Sequence, residues 1–162
     1  MSDNWYDTAQ ICTNGHVITS SLVTSPEIGQ KFCKKCGAPT IINCQVCNVS
    51  IRGFHHLKGV IYFPDYELPS FCHECGKPYP WTEVKVKAAR DLSDEMNDLS
   101  NEEREILKKS LDDIIRDTPE TTVAATRFKK IISKVGKPAA GAIRDILVDI
   151  ASEAAKKVIW PS

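Results

Sequence analysis

The chain has 162 residues, 42% of them hydrophobic, and its 21 basic side chains balance 21 acidic ones for a formal charge of zero. The apolar content is enough for a globular core and excludes wholesale disorder. The charge balance lacks the basic excess by which a nucleic-acid binder usually declares itself, and the length suits one ordinary domain or two small ones.

The opening residues, MSDNWYDTAQ, contain neither a basic stretch nor an apolar run, so no secretory signal is expected. No apolar stretch approaches the roughly 18 residues of a membrane span. The default expectation is therefore the cytoplasm, where paired cysteines are more often metal ligands than disulfides.

The first chemical feature is CTNGH, which places Cys12 and His16 either side of the turn dipeptide Asn14-Gly15. The β-branched run HVITSSLV follows and predicts a strand. Next comes FCKKCGAP, residues 32–39, which is written again as FCHECGKP at residues 71–78. Between them lie CQVC, with Cys44 and Cys47, and VIYFPDY, a second predicted strand. The seven cysteines and His16 thus form four two-ligand hooks: Cys12 with His16, Cys33 with Cys36, Cys44 with Cys47, and Cys72 with Cys75. Structural zinc takes four ligands in a closed tetrahedron. Eight donors fill two such sites with no cysteine left over, and that completeness makes the signal far more specific than one CxxC pair.

The neighbouring residues suit this chemistry. Gly37 and Gly76 follow the second cysteine of their hooks, where a positive φ is cheap for glycine. Pro39 and Pro78 stiffen the exit. The pattern predicts two small β zinc ribbons in tandem. Each zinc would join consecutive hooks: Cys12, His16, Cys33 and Cys36, then Cys44, Cys47, Cys72 and Cys75. The rival arrangement is a cross-brace that joins hooks one with three and two with four. Sequential pairing is preferred because each half then repeats the same order of parts. At about 10–16 kcal/mol per structural zinc, the metal supplies what so small a core does not. His55, His56 and His73 are read as strand, loop or surface residues, because two full sites already exist, and Trp81 and Trp160 as packing anchors.

The stretch IRGFHHLKGVIYFPDYELPSFCHECGKPYPWTE, residues 51–83, with the CTNGH hook, resembles an uncharacterised bacterial family of double zinc-ribbon proteins. The resemblance is close over roughly the first 85–95 residues and looser in the helical remainder. It implies metal binding at the eight hook residues and brings no known activity.

After PYPW the composition changes: no cysteine or histidine occurs beyond Cys75, and helix formers dominate. A domain boundary is expected between residues 81 and 82, with a helical bundle or hairpin over 82–162. Thr82 is expected to cap a first helix running to about Asn97. Ser100 and Glu103 form a capping box for a second, ending near Asp117. Thr118-Pro119 opens a third that stops at Gly136. Pro138 opens a fourth, with Ile143, Ile146, Leu147, Ile150, Ala151, Ala154 and Val158 inward. Residues 91–120 carry a net charge of −7, whereas residues 121–137 hold five bases and no acid. The second and third helices are therefore expected to pack antiparallel with complementary charge. A basic stripe for phosphate or anionic lipid is the sharper alternative.

The fold class expected is α+β: tandem zinc ribbons, then helices. The function expected is a non-enzymatic interaction protein with two structural zincs, its helical part serving oligomerisation or docking to a protein partner. Nucleic-acid binding is disfavoured by charge. Residues 1–81 hold six bases and six acids, so two Zn²⁺ and seven thiolates bring the loaded ribbons to about −3. A membrane-surface effector acting through the C-terminal helix is a further alternative. An enzyme is the weakest expectation, since no thiol remains free and neither zinc keeps an open position.

Overall fold

The computed structural model describes residues 3–161. Two compact units divide the chain, residues 1–82 and residues 83–162. The fold class is α+β, with small antiparallel sheets in the N-terminal half followed by five α-helices among the described residues.

The first unit holds five short strands. β1 (Trp5–Thr8) pairs antiparallel with β5 (Arg52–His56), in the register Trp5 opposite His56 and Tyr6 opposite His55. The other sheet has β2 (Gln10–Cys12) at its centre, flanked by β3 (Val17–Thr19) and β4 (Thr40–Ile41). Each strand is only a few residues long, so the sheets bury little by themselves. The apolar cluster of this unit is Ala9, Ile11, Cys44, Ile51, Cys72, Tyr79 and Trp81. Trp81 is fully buried, stacks on Tyr79 at 4.7 Å, and donates its indole N–H to the Pro69 carbonyl at 2.8 Å.

Two strand expectations change. HVITSSLV is a strand only over Val17–Thr19. Beyond it the Ser20 carbonyl accepts the Phe54 N–H, and the Asp7 carboxylate gathers Val23 N–H and Thr24 Oγ1, so the chain turns away. VIYFPDY forms no strand at all. Pro64 offers no N–H to a ladder, and the segment is held by side chains: Tyr62 and Tyr66 donate their hydroxyls to the His55 and Arg52 carbonyls.

Helix α1 (Pro80–Asp94) starts earlier than Thr82, because proline is well placed in a first turn. Thr82 lies inside it, buried, and its hydroxyl donates to the Ser70 carbonyl at 2.8 Å. The second unit continues with α2 (Asn101–Ile114), α3 (Thr121–Ile132), α4 (Lys137–Leu147) and α5 (Glu153–Ile159). The capping box at the start of α2 is present in full, Ser100 accepting the Glu103 N–H and Glu103 accepting the Ser100 N–H. Before α3, Thr118 and Pro119 form a turn rather than the helix's first residues, because the Thr121 hydroxyl donates back to the Arg116 carbonyl at 2.6 Å. Where one last helix was expected there are two. The Ser152 N–H is taken by the Ile114 carbonyl at the end of α2, and the Ser152 hydroxyl caps a new helix by accepting the Ala155 N–H. The interruption shifts the helical phase by one residue. Ala155 and Ile159 are buried, and Ala154 and Val158 only half so.

The expected charge match between α2 and α3 reduces to one ion pair among the described residues, Glu103 with Lys134 just past α3. Other acids pair elsewhere: Arg90 of α1 grips Asp112, and Lys108 of α2 pairs with Asp94 of α1 as well as with Glu105. The buried face of α3 (Ala124, Ala125, Phe128, Ile131) leaves its basic residues on the surface.

Candidate metal centres

Three of the four hooks are one structure written three times. In each CxxC hook the first cysteine's carbonyl accepts the N–H four residues on: Gly37 to Cys33, Asn48 to Cys44, Gly76 to Cys72. The same cysteine's N–H donates to the carbonyl five residues on, that of Ala38, Val49 and Lys77 respectively. An isolated β-bridge closes every copy, Phe32 with Pro39, Asn43 with Ser50, and Phe71 with Pro78. The residue after the second cysteine has φ of 74° at Gly37, 65° at Asn48 and 73° at Gly76. This is the left-handed region, which asparagine tolerates better than other side chains. The repeat FCxxCGxP therefore has a third copy, NCQVCNVS, that sequence comparison misses because asparagine replaces glycine and serine replaces proline. The fourth hook turns at Gly15, φ 94°, with the Gly15 N–H on the Cys12 carbonyl and the Cys12 N–H on the His16 carbonyl.

The hooks converge two by two. Cys12, His16, Cys33 and Cys36 form one group, and Cys44, Cys47, Cys72 and Cys75 the other, the donor atoms of each lying within 4.8 Å of one another. Hooks are joined in sequence, one with two and three with four, not cross-braced. The separations fit a tetrahedral ion. Metal–sulfur bonds of about 2.3 Å imply sulfur–sulfur edges of about 3.8 Å and sulfur–nitrogen edges of about 3.5 Å. The sulfurs of Cys12 and Cys36 lie 3.7 Å apart, those of Cys44 and Cys75 3.7 Å, and those of Cys47 and Cys72 3.6 Å. His16 Nδ1 is 3.5 Å from both the Cys12 and the Cys33 sulfur. All of these exceed the ~2.05 Å of a disulfide by far, and all seven cysteines are free thiols.

Donors around the sulfurs prepare them as thiolates. Backbone N–H groups of His16, Val46 and Glu74 reach the Cys12, Cys44 and Cys72 sulfurs at 3.3, 3.4 and 3.4 Å, and the Asn14 amide reaches Cys36 at 3.4 Å. The Asn14 amide, with the Ala38 N–H, holds the Cys36 thiol down at about 6. Burial opposes the Cys72 thiolate, but the N–H groups of Cys75 and Glu74 outweigh it and bring that thiol to about 6 as well. At Cys47 the Val49 N–H favours the thiolate, yet local desolvation and three crowding sulfurs push the thiol up to about 12. Burial likewise raises Cys12. A metal ion entering either cluster must displace the protons such thiols retain, so affinity falls as pH falls.

The two centres sit in different surroundings. Cys44 and Cys72 belong to the apolar cluster with Trp81, whereas Cys12 and Cys33 are buried outside it. Each centre has one exposed cysteine, Cys36 in the first and Cys47 in the second. A polar knot beside the strands carries no local sequence signal. The Asp7 carboxylate, 2% exposed, accepts from the Thr8 and Val23 N–H groups and the Thr24 hydroxyl, each at 2.8 Å, and contacts His56 Nε2 at 3.0 Å. His56 stacks on Trp5 and His55 on Tyr6, both at 4.2 Å, so neither histidine belongs to a metal cluster. His73 is exposed between two ligands of its hook. Trp160 meets Phe128 edge to face at 6.4 Å.

No helix among the described residues is long and apolar enough to cross a membrane. No curated protein and no solved structure matches the chain. The family described as "Uncharacterized protein conserved in bacteria (DUF2321)" matches residues 5–159, from β1 to the end of α5. That span takes in both metal clusters and the whole helical unit, and the chain belongs to this bacterial family.

Proposed function

We propose that the chain is a zinc-binding interaction protein without catalytic activity of its own. Two structural zincs would stiffen the ribbon unit as a docking surface for a protein partner, and the helical unit would serve oligomerisation or a second contact. The carrying observation is that eight donors gather into two tetrahedral sets and use every cysteine in the chain. Sulfur and imidazole donors in a tetrahedron suit zinc. Four protein donors per ion leave no position for a water nucleophile, which favours a structural role over catalysis. Free thiols in this number suit a reducing compartment, and the cytoplasm is the proposed location.

Charge disfavours the nucleic-acid alternative, because the loaded ribbons carry about −3 and phosphate contacts need positive surface. Burial disfavours the membrane-surface alternative. Ile143, Leu147, Ile150, Ala155 and Ile159 are all buried, so α4 and α5 spend their apolar faces inside the protein.

The test is elemental analysis of metal-replete protein, followed by purification from the native host and rebuilding of any complex from purified components. Two zincs per chain and a protein partner that rebinds are expected. One metal or none, or nucleic acid as the sole companion, sinks the reading.

A further inference from the structure

The repeated knuckle offers an internal comparison. Phe32 and Phe71 occupy the same position, each bridged to a proline seven residues on. Their surroundings differ. Phe71 is half-buried in a wall shared with Tyr66 and Tyr79, while Phe32 is 63% exposed. The flanking residues differ as well. Exposed Lys31, Lys34 and Lys35 flank Phe32 in the sequence, whereas His73 and Glu74 take the inter-cysteine positions in the other copy. None of the three lysines forms an ion pair among the described residues. Glu27, on the short 3-10 turn Pro26–Ile28, is the nearest acid before them in sequence and pairs with none of them.

Lys31, the residue before Phe32, lines an open groove of about 460 Å³ with Pro26, Gly29, Gln30, Thr40 and Ile42, and Gln10 stands in its wall. The Gln10 amide is fixed at both ends: its oxygen accepts the Gln30 N–H at 2.9 Å, and its nitrogen donates to the Gln30 carbonyl at 2.9 Å and the Thr40 hydroxyl at 3.0 Å. The groove is thus preformed, which lowers the ordering cost of binding.

We propose that this knuckle is the docking surface for a short acidic segment of a partner protein. An apolar side chain of the segment lies against Phe32 and Ile42, and its carboxylates meet Lys31, Lys34 and Lys35. The proposal rests on the interaction reading above and names the partner's chemistry. An exposed aromatic with three lysines within three residues of it in sequence has the composition of an interface anchor. The size of the charged footprint selects a peptide over a nucleic acid. A nucleic-acid strand presents phosphates continuously and would run from three lysines onto a unit of net negative charge. A peptide with a few carboxylates ends where the lysines end.

The experiment is fluorescence anisotropy of the zinc-loaded full chain with short labelled peptides that carry several aspartates around one leucine or phenylalanine. The same peptides with asparagine for aspartate, and labelled single-stranded oligothymidine, are the comparators. Acidic peptides should bind, and the asparagine versions should bind about ten-fold more weakly. The double variant Lys34→Glu/Lys35→Glu should lose a similar factor, Phe32→Ala several-fold, and Lys77→Glu on the other basic knuckle position nothing. Zinc content of every variant confirms that the ribbons remain folded. No binding by any acidic peptide, full binding by the double variant, or preference for oligothymidine overturns the proposal. If it falls while a partner still co-purifies with the zinc-loaded double variant, the interaction reading stands; if the chain does not hold two zincs, both fall.

Discussion

At the scale of single residues, Asp7 shows how much a short sheet depends on one buried carboxylate. Burial works against its charge, but the donors from His56, Val23, Thr24 and Thr8 outweigh that cost and hold its pKa below the usual value of 3.8. A carboxyl depressed in the folded state contributes stability that is present above the unfolded pKa and fades as pH falls through the folded one. The contribution is therefore complete at neutral pH and is lost only below about pH 4. Asp7→Ala would take the shared acceptor from these four donors and should cost about 2–3 kcal/mol at pH 7. Chemical denaturation of zinc-loaded protein measures it, and a variant as stable as the parent would show that water replaces the carboxylate. Nothing in the sequence marked Asp7, because its partners come from a turn some sixteen residues away and from another strand. The two clusters of candidate ligands were legible for the opposite reason: their chemistry is local, and two such residues three or four apart announce a hook. Asn48 was half-legible. It does what Gly37 and Gly76 do, in a residue type that often does something else.

At the scale of elements, helix starts and stops were readable wherever a side chain closes on its own backbone. The Ser100–Glu103 box was foreseen and is present. Ser100→Ala should cost about 1 kcal/mol of the helical unit's stability, visible as a lower thermal midpoint; no change would mean that solvent caps α2 equally well. The break between α4 and α5 was hidden, because its cause is tertiary. A carbonyl at the end of α2 claims the Ser152 N–H, and no periodicity reports that. The lost strand at VIYFPDY has a similar origin. The β-branched and aromatic residues that predict pairing are spent on side-chain contacts, Tyr62 with Phe54 at 5.4 Å among them. Charge segregation misled in the same way. Sequence showed acids followed by bases, but Asp112 of α2 finds its base on α1 and Asp94 of α1 finds its base on α2, so neither pairs with α3.

At the scale of the whole molecule, composition divides the chain: every candidate metal ligand lies in the first unit. The helical unit's buried residues, Leu107, Leu111, Ile114, Phe128, Ile131, Ile143 and Leu147, form a core with no metal ligand among them. The unit boundary falls inside α1, whose first turn carries Trp81 in the same apolar cluster as Cys44 and Cys72. A strong chelator should therefore fray the start of α1 and leave most of the helical circular dichroism intact. Complete loss of that signal would show that the helices depend on the ribbons.

The unequal seating of the two centres sets two clocks. Zinc would leave such a site when an incoming chelator coordinates the ion in place of a thiolate that can swing away, and each centre offers one exposed cysteine. In the second centre, release would also mean parting Cys44 and Cys72 from Ile11, Ile51, Tyr79 and Trp81, so a bound metal is expected to depart only when that cluster opens. The buried cysteines of the first centre, Cys12 and Cys33, lie outside that cluster. In a competition with a coloured chelator, zinc should appear in two phases of equal amplitude, the fast one abolished by Cys12→Ser and the slow one accelerated by Trp81→Ala. A single phase would mean that the ribbons open as one. Two lifetimes in one small chain would let a cell draw one zinc from the protein while the other keeps its core closed.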